Sequence, residues 1–263
     1  EWKPRNGEDL LRIEDLERIV SVQGDEIALL LIGGVNYYTG QFLDLQRIAE
    51  IGHSKNCTVG IDLAHGAGNI QPNLHASGVD FAAWCTYKYL NSGPGSLSGV
   101  FVHERHAQNK ELPRFSGWWN HNKATRFNMR QPFDVMKGAE GWQLSNPPIL
   151  SMAAILASLD IFEEVGMEAL RQKSEKLTGY LEFLIQEIGS KDIKMITPTN
   201  PKERGCQLSI QVKNAHKNLH QQLRAHSVIT DWREPDVIRC APVPLYTSFE
   251  DVYRMVSILK ECV

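Results

Sequence analysis

Apolar residues recur along the chain in two rhythms. Over residues 10–22, Leu11, Ile13, Leu16, Ile19 and Val20 fall at helical spacing, and Gly24 closes the run. Residues 27–32 are continuously apolar and stop at Gly33-Gly34, the pattern of a strand buried on both faces. A polar loop, 36–41, leads to a second helical pattern over 42–55 and then to a second apolar strand, 57–61. Strand, helix and strand in that order predict right-handed crossovers and a parallel sheet with helices on its faces. A short helix over 73–77 ends at Gly78, and strands follow over 81–85 and 99–102. The Gly/Pro turn at 91–96 either pairs those two strands antiparallel or serves as a longer functional loop.

The texture then changes twice. Residues 105–146 show little periodicity but hold Phe115, Trp118, Trp119, Phe127, Phe133 and Trp142, and so long an irregular stretch is either functional or contains elements the pattern does not reveal. Pro147-Pro148 opens a helix running past Leu159 and Phe162, Gly166 breaks it, and 167–188 reads as a long amphipathic helix. Beyond Gly189, short runs at 194–197, 206–212, 228–231 and 237–241 alternate with helices over 215–227 and 249–262. That is the pattern of a smaller α+β domain, so the chain divides into 1–165 and 166–263.

Composition narrows the function classes. With 263 residues, 42% hydrophobic and 22% charged, the chain is ordinary globular material. A net charge of -3 gives no electrostatic case for nucleic acid or for an anionic membrane, and no apolar run is long enough to cross one. Five scattered cysteines with no C-x-x-C pair fit reduced thiols in the cytoplasm. No signal peptide is visible at the start. No metal site is expected: His216 and His220 are four apart on one helix but lack a third ligand, and His103 and His106 have no better context.

Two stretches deliver polar residues where apolar strands end. Asp62 and His65 follow the strand at 57–61, while Tyr87 and Lys88 follow the strand at 81–85. Open α/β sheets place ligand sites at such carboxyl ends. A carboxylate at one strand end and a lysine at a later one is what a pyridoxal phosphate site needs: one keeps the pyridine nitrogen protonated, the other holds the aldehyde. Each residue read singly stays open. Lys88 is equally a surface lysine, Asp62 a turn cap and His65 a loop histidine. Tyr87 is a proton donor or a packed aromatic. Asn146 either caps the helix after Pro147-Pro148 or turns to a ligand. Arg239, inside an apolar run, pairs with a substrate carboxylate or with a protein one, Asp236 or Glu234 being near in sequence.

Five ordered stretches together carry a family likeness. They are residues 34–41 (GVNYYTGQ), 59–65 (VGIDLAH), 84–91 (WCTYKYLN), 145–150 (SNPPIL) and 239–246 (RCAPVPLY). In that order they resemble the kynureninases, from the first residues to the last. The resemblance implies the aspartate-aminotransferase-like, type I fold of pyridoxal phosphate enzymes. It would comprise part of the large domain with a mixed or parallel sheet, plus a small C-terminal α+β domain, in a homodimer. It implies Lys88 as the Schiff-base lysine, Asp62 at the pyridine nitrogen, His65 beside the cofactor and Tyr87 at the phosphate, assisting proton transfer. Trp118 and Asn146 match cofactor-contacting positions, Trp118 reaching across from the partner, and Arg239 would clamp the substrate carboxylate. Gly33 stands where some relatives have serine, so its contact would be through backbone.

The implied reaction is hydrolysis of L-kynurenine or its 3-hydroxy form to an anthranilate and L-alanine, within tryptophan catabolism and NAD biosynthesis. The phosphate-binding stretch expected upstream has no counterpart, so the chain is expected to be incomplete and to retain cofactor weakly by itself. A cysteine desulfurase-like enzyme is the alternative, although His usually precedes its lysine where Tyr87 stands here. A non-catalytic fragment is the other.

Overall fold

The computed structural model describes residues 1–128, 132–215 and 217–263. Its first half is built as the alternation predicts. Helix α1 (Ile13–Gln23) precedes strand β1 (Leu29–Gly33), α2 (Leu45–His53) crosses to β2 (Thr58–Asp62), and the short α3 (Leu74–Ser77) leads to β3 (Phe81–Cys85). Strand β4 (Ser98–Val102) and a single turn, α4 (Glu104–Ala107), follow. The sheet order is β1-β2-β3-β4. The first three strands are parallel, and β4 returns antiparallel to β3 with Cys85 opposite Ser98. The turn at 91–96 therefore joins paired strands.

One face of this sheet makes the core. Leu30, Val59, Ile61 and Ala82 pack on Leu16 and Val20 of α1 and on Ile48, Ala49 and Ile51 of α2. Helix α2 starts where Asp44 accepts the Arg47 amide at 3.0 Å, which satisfies one of the donors a helix start leaves open. It lies close to the sheet because Gly52 has no side chain: an added Cβ would sit 2.5 Å from Val59 Cγ2. The opposite face differs from the expectation of burial on both sides. Leu29 is 46% and Leu31 62% exposed, because no described residue packs over them.

The described residues between 105 and 146 are held by polar bonds rather than periodic packing. The buried Asn120 side chain accepts from the Gly117 amide at 2.8 Å and donates to the carbonyls of Phe115 and Gly141. Helix α5 (Ile149–Val165) follows. Gly166, at φ 78°, a conformation costly for other residues, turns the chain into α6 (Met167–Ile188).

The second sheet has order β5-β6-β8-β7 and is antiparallel throughout. It comprises β5 (Ile193–Met195), β6 (Leu208–Val212), then after α7 (Lys217–Ala225) the hairpin β7 (Asp231–Arg233) and β8 (Val237–Cys240). The run at 228–231 is a strand only from Asp231 onward, the residue that first reaches β8, opposite Arg239. Helix α8 (Phe249–Cys262) closes the chain with a reciprocal Ser248–Asp251 cap. Leu208, Ile210 and Ile238 bury against Leu177 and Leu181 of α6, Leu223 of α7 and Val256 and Leu259 of α8.

The two sheets meet at loop 36–41. Side chains of the second sheet and its approach take three successive carbonyls: Gln207 Nε2 donates to Tyr37 at 3.1 Å, Ser209 Oγ to Tyr38 at 2.5 Å, and Thr197 Oγ1 to Thr39. Gln41 also bridges Arg204 through backbone.

Candidate active site

The site lies beyond the carboxyl ends of β2 and β3, on the side where the second sheet is joined. Asp62 is the last residue of β2 and is in register with Ala83 on β3 and Gly33 on β1. Its Oδ1 accepts the Ala64 amide at 2.7 Å, so the turn-capping role is real. The carboxylate nevertheless remains exposed. That turn sets His65 three residues on.

Lys88 leaves β3 on a turn tied down behind it. The buried Thr86 hydroxyl contacts Ser92 Oγ at 2.8 Å and Ser96 Oγ at 2.9 Å and donates to the Leu97 carbonyl at 2.5 Å, while the Asn91 amide donates to the Lys88 carbonyl at 3.0 Å. The Lys88 ammonium then reaches His65 Nε2 at 3.1 Å. Burial first, and the neighbouring Lys88 charge second, bring the His65 pKa down to about 4. The ring is therefore neutral near pH 7 and accepts the lysine's proton-bearing nitrogen at Nε2. Its own proton is therefore on Nδ1, which is buried and has no partner among the described residues. A buried donor left unmet is costly, so an acceptor meeting it would be favoured. Tyr89 packs edge-on beneath the ring, 6.1 Å between centroids, and burial raises its phenol far above the usual value.

Arg239 projects from β8. Its Nη1 donates to the Tyr37 carbonyl at 2.6 Å, its Nη2 meets Asp231, and its Nε is buried without a partner among the described residues. The protein carboxylate it holds is thus Asp231. Glu234 accepts from Trp232 and Asp236 from Gln211 instead. Arg233, two residues along β7, shares Asp231 at 3.0 Å, with its guanidinium 6.0 Å from the Tyr37 ring centroid.

The other predicted site residues are placed apart or more loosely. Tyr87 is exposed, and its phenol pKa is raised by a hydrogen bond with Cys85. Gly33 is exposed; a Cβ there would come no nearer than 3.7 Å to the Val35 carbonyl, so the backbone is open but not cradled. Trp118, 46% exposed, packs with Trp119, Phe127 and Arg126 rather than with Lys88. Asn146 is exposed, lies 3.3 Å from Ser145 Oγ and leaves α5 without a side-chain cap. His220 is engaged by the Thr230 carbonyl, and His216 lies outside the described residues. No group of three metal-ligating side chains occurs among the described residues, and no helix among them is long and apolar enough to cross a membrane.

Asp231, Arg233, Tyr89 and the Thr86 knot escape a residue-by-residue reading. The first two had a signal: Asp231-Trp232-Arg233 alternates polar, apolar, polar, which puts both charged residues on one strand face with Trp232 buried on the other.

The chain is similar to known proteins in sequence and in fold. Residues 170–259 match the family of the kynureninase C-terminal domain. The chain is 55% identical, over 99% of its length, to a kynureninase of Myxococcus xanthus, of which it covers 61%. It is 54% identical to one of Flavobacterium psychrophilum, covering 62%, and 47% identical to one of Mus musculus, covering 57%. It thus spans about three fifths of the length of these relatives. Among solved structures, C-DES with glycine covalently linked to its PLP cofactor aligns at TM-score 0.80 and 18% identity, over 95% of this chain and 63% of that one. The cysteine desulfurase CsdA of Escherichia coli aligns at TM-score 0.78 and 16% identity, over 98% and 63%. At such identity the likeness carries the fold alone. That fold is the type I arrangement of pyridoxal phosphate enzymes.

Proposed function

We propose that the chain is the corresponding part of a kynureninase and supplies the lysine-bearing part of a pyridoxal phosphate-dependent hydrolase. The reaction is cleavage of L-kynurenine or 3-hydroxy-L-kynurenine by water to the corresponding anthranilate and L-alanine. The observation that carries this reading is the contact of Lys88 Nζ with a neutral His65 whose Nδ1 proton is unmet, beside the exposed Asp62 carboxylate.

The residues present fit the cofactor. The amine of Lys88 would hold its aldehyde, Asp62 its ring nitrogen, and the unmet His65 proton is a ready donor beside the ring. Tyr87, Gly33, Trp118 and Asn146 would add contacts, the last two on completion of the assembly. When bound, pyridoxal phosphate supplies an electron sink for carbanion chemistry. The chain's own part is to orient and to move protons. Arg239 binds the substrate α-carboxylate through its fork of donors. The Lys88 amine, once released, takes the proton from the substrate α-carbon. Tyr87, exposed at the same strand end, relays a proton as water adds to the side-chain ketone and the bond between Cβ and the ketone carbon breaks.

We read the assembly as a cytoplasmic homodimer. The exposed apolar face of α5, with Ile149 75% and Leu150 86% accessible, supports a covered surface there. Five free cysteines support a reducing compartment. A desulfurase-like reading would need a reactive late thiol. Cys206, just before β6, and Cys240, at the end of β8, are instead buried, and burial pushes both thiols up to about 12; burial also raises the thiol of Cys262 on α8. Anthranilate fluorescence on adding L-kynurenine to the complete protein with pyridoxal phosphate tests the proposal. Release that stops in Lys88→Ala is expected, and no release would refute it.

A further inference from the structure

The arginine assigned to the substrate carboxylate already holds a carboxylate of its own chain. Asp231 stands directly across from Arg239 on the neighbouring antiparallel strand, so the pair is built into the register of β7 and β8. The contact runs from Asp231 Oδ2 to Arg239 Nη2. Nη2 and Nε form one edge of a guanidinium, the edge that takes a carboxylate two-pronged. Half of that edge is spent on Asp231, and the other half, Nε, is buried with no partner among the described residues. The same Oδ2 also lies 3.0 Å from Nη2 of Arg233. The two guanidinium groups and one carboxylate leave one net positive charge, facing the Lys88 end of the first sheet. Arg239 is only 11% exposed in its side chain, whereas that of Asp231 is 46% exposed.

We propose that Asp231 is a displaceable internal stand-in for the substrate carboxylate, and that Arg233 is the partner to which it retreats when substrate takes Arg239. This rests on the reading of Arg239 as the carboxylate clamp. The physical logic is an exchange of partners. An incoming carboxylate claims the Nε/Nη2 edge of Arg239, which it fills better than Asp231 does. Asp231 keeps an ion pair with Arg233 and so is never left as an unpaired charge. Meanwhile Arg239 stays anchored by Nη1 on the Tyr37 carbonyl, which keeps the guanidinium aimed while its occupant changes. Asp231 and Arg233 are thus positioning residues that set how tightly an amino-acid carboxylate is held.

The arrangement gives opposite signs for two neighbouring substitutions, which a merely structural role would not. The probe is L-alanine binding to the complete protein by calorimetry, read beside the KM for L-kynurenine. Asp231→Asn removes the competitor, and L-alanine should bind about fivefold more tightly, the worth of a half-exposed ion pair. Asp231→Ala should give the same sign if the amide distorts the strand. Arg233→Gln removes the retreat, and binding should weaken by a similar factor. In Asp231→Asn/Arg233→Gln the second effect should vanish, because nothing remains to be parked. Weaker binding in both Asp231 variants, or additive effects in the double variant, would overturn the inference by making the trio a strut. No L-alanine binding in the parent protein would overturn it as well. The predicted pattern of L-alanine binding without anthranilate release would uphold the exchange and refute the proposed reaction.

Discussion

Glu182→Ala should cost far more stability than Arg204→Met, although each removes one member of the same ion pair. Arg204 is fully buried, with 1% of its side chain accessible, and Glu182 on α6 is 14% accessible. Their closest approach is 2.8 Å, and Arg204 Nη1 also donates to the Pro198 carbonyl at 2.9 Å. Its Nε has no partner among the described residues. Without Glu182 the guanidinium keeps one carbonyl and no countercharge, in a place water does not reach. Removing one partner of a buried pair costs about 3–5 kcal/mol, and the edge position of Glu182 argues for about 3 kcal/mol. Arg204→Met instead removes the buried charge and fills part of the space. The carboxylate left behind sits near enough to solvent to hydrate, so the expected loss is about 1 kcal/mol. Urea unfolding followed by far-ultraviolet circular dichroism, with equal m-values, gives both numbers. A Glu182→Ala loss below about 1 kcal/mol, or one smaller than that of Arg204→Met, would refute the reasoning. The joint matters for the site because the Arg204 backbone pairs with Gln41, at the end of the loop whose Tyr37 carbonyl anchors Arg239.

Other outcomes follow from particular contacts. The His65 ring proton resonances should titrate with a midpoint near 4, since burial and Lys88 hold the pKa down from 6.5; a midpoint above 6 would contradict that environment. The sign for stability is fixed: the contribution is fully present above the unfolded value near 6.5 and is lost as pH falls toward about 4, because the unfolded chain takes up the proton first. Asp80→Asn should cost about 2–4 kcal/mol in urea unfolding. The carboxylate accepts from His106 at 2.7 Å, His53 at 2.9 Å and the Val59 amide at 2.7 Å, and an amide would turn a donor toward donors. Burial pushes the Asp80 carboxyl up, but those bonds outweigh it and lower the pKa, so its contribution is present above about 3.8 and fades in stronger acid. Gly52→Ala should lower stability by about 1–3 kcal/mol, since its Cβ would meet Val59 Cγ2 at 2.5 Å; an unchanged denaturation midpoint would contradict the tight seat of α2.

Strands and helices with a clean period were legible before any coordinates. The helices at 167–188 and 249–262 coincide with α6 and α8, because each has one apolar face and a glycine or cap at an end, and the strand at 81–85 coincides with β3, an apolar run between Asp80 and Thr86. The bare face of the first sheet was not legible, since a continuous apolar run such as 27–32 looks the same whether one side or both are covered. The strand at 228–231 was shifted for a related reason: Val228-Ile229-Thr230 has strand composition, but pairing begins only where Asp231 reaches Arg239. Lys88, Asp62 and His65 can be singled out in the sequence because polar residues at strand ends are a local signal, and the structure brings Lys88 to His65. Asp231 was missed as the partner of Arg239 because that pairing depends on the register of two strands, and sequence distance pointed to Asp236 and Glu234 instead. Trp118 and Asn146 are not assembled around Lys88 within this chain, and their expected role depends on contacts no single-chain pattern can supply.

The claim that Lys88 is the cofactor-holding residue has a direct test. Reducing the complete protein with borohydride in the presence of pyridoxal phosphate should fix a phosphopyridoxyl group to one lysine. Peptide mass spectrometry should find it on the peptide carrying Tyr87-Lys88-Tyr89, with no such adduct in Lys88→Ala. Stoichiometric labelling at another of the chain's lysines, with Lys88 unmodified, would contradict the account.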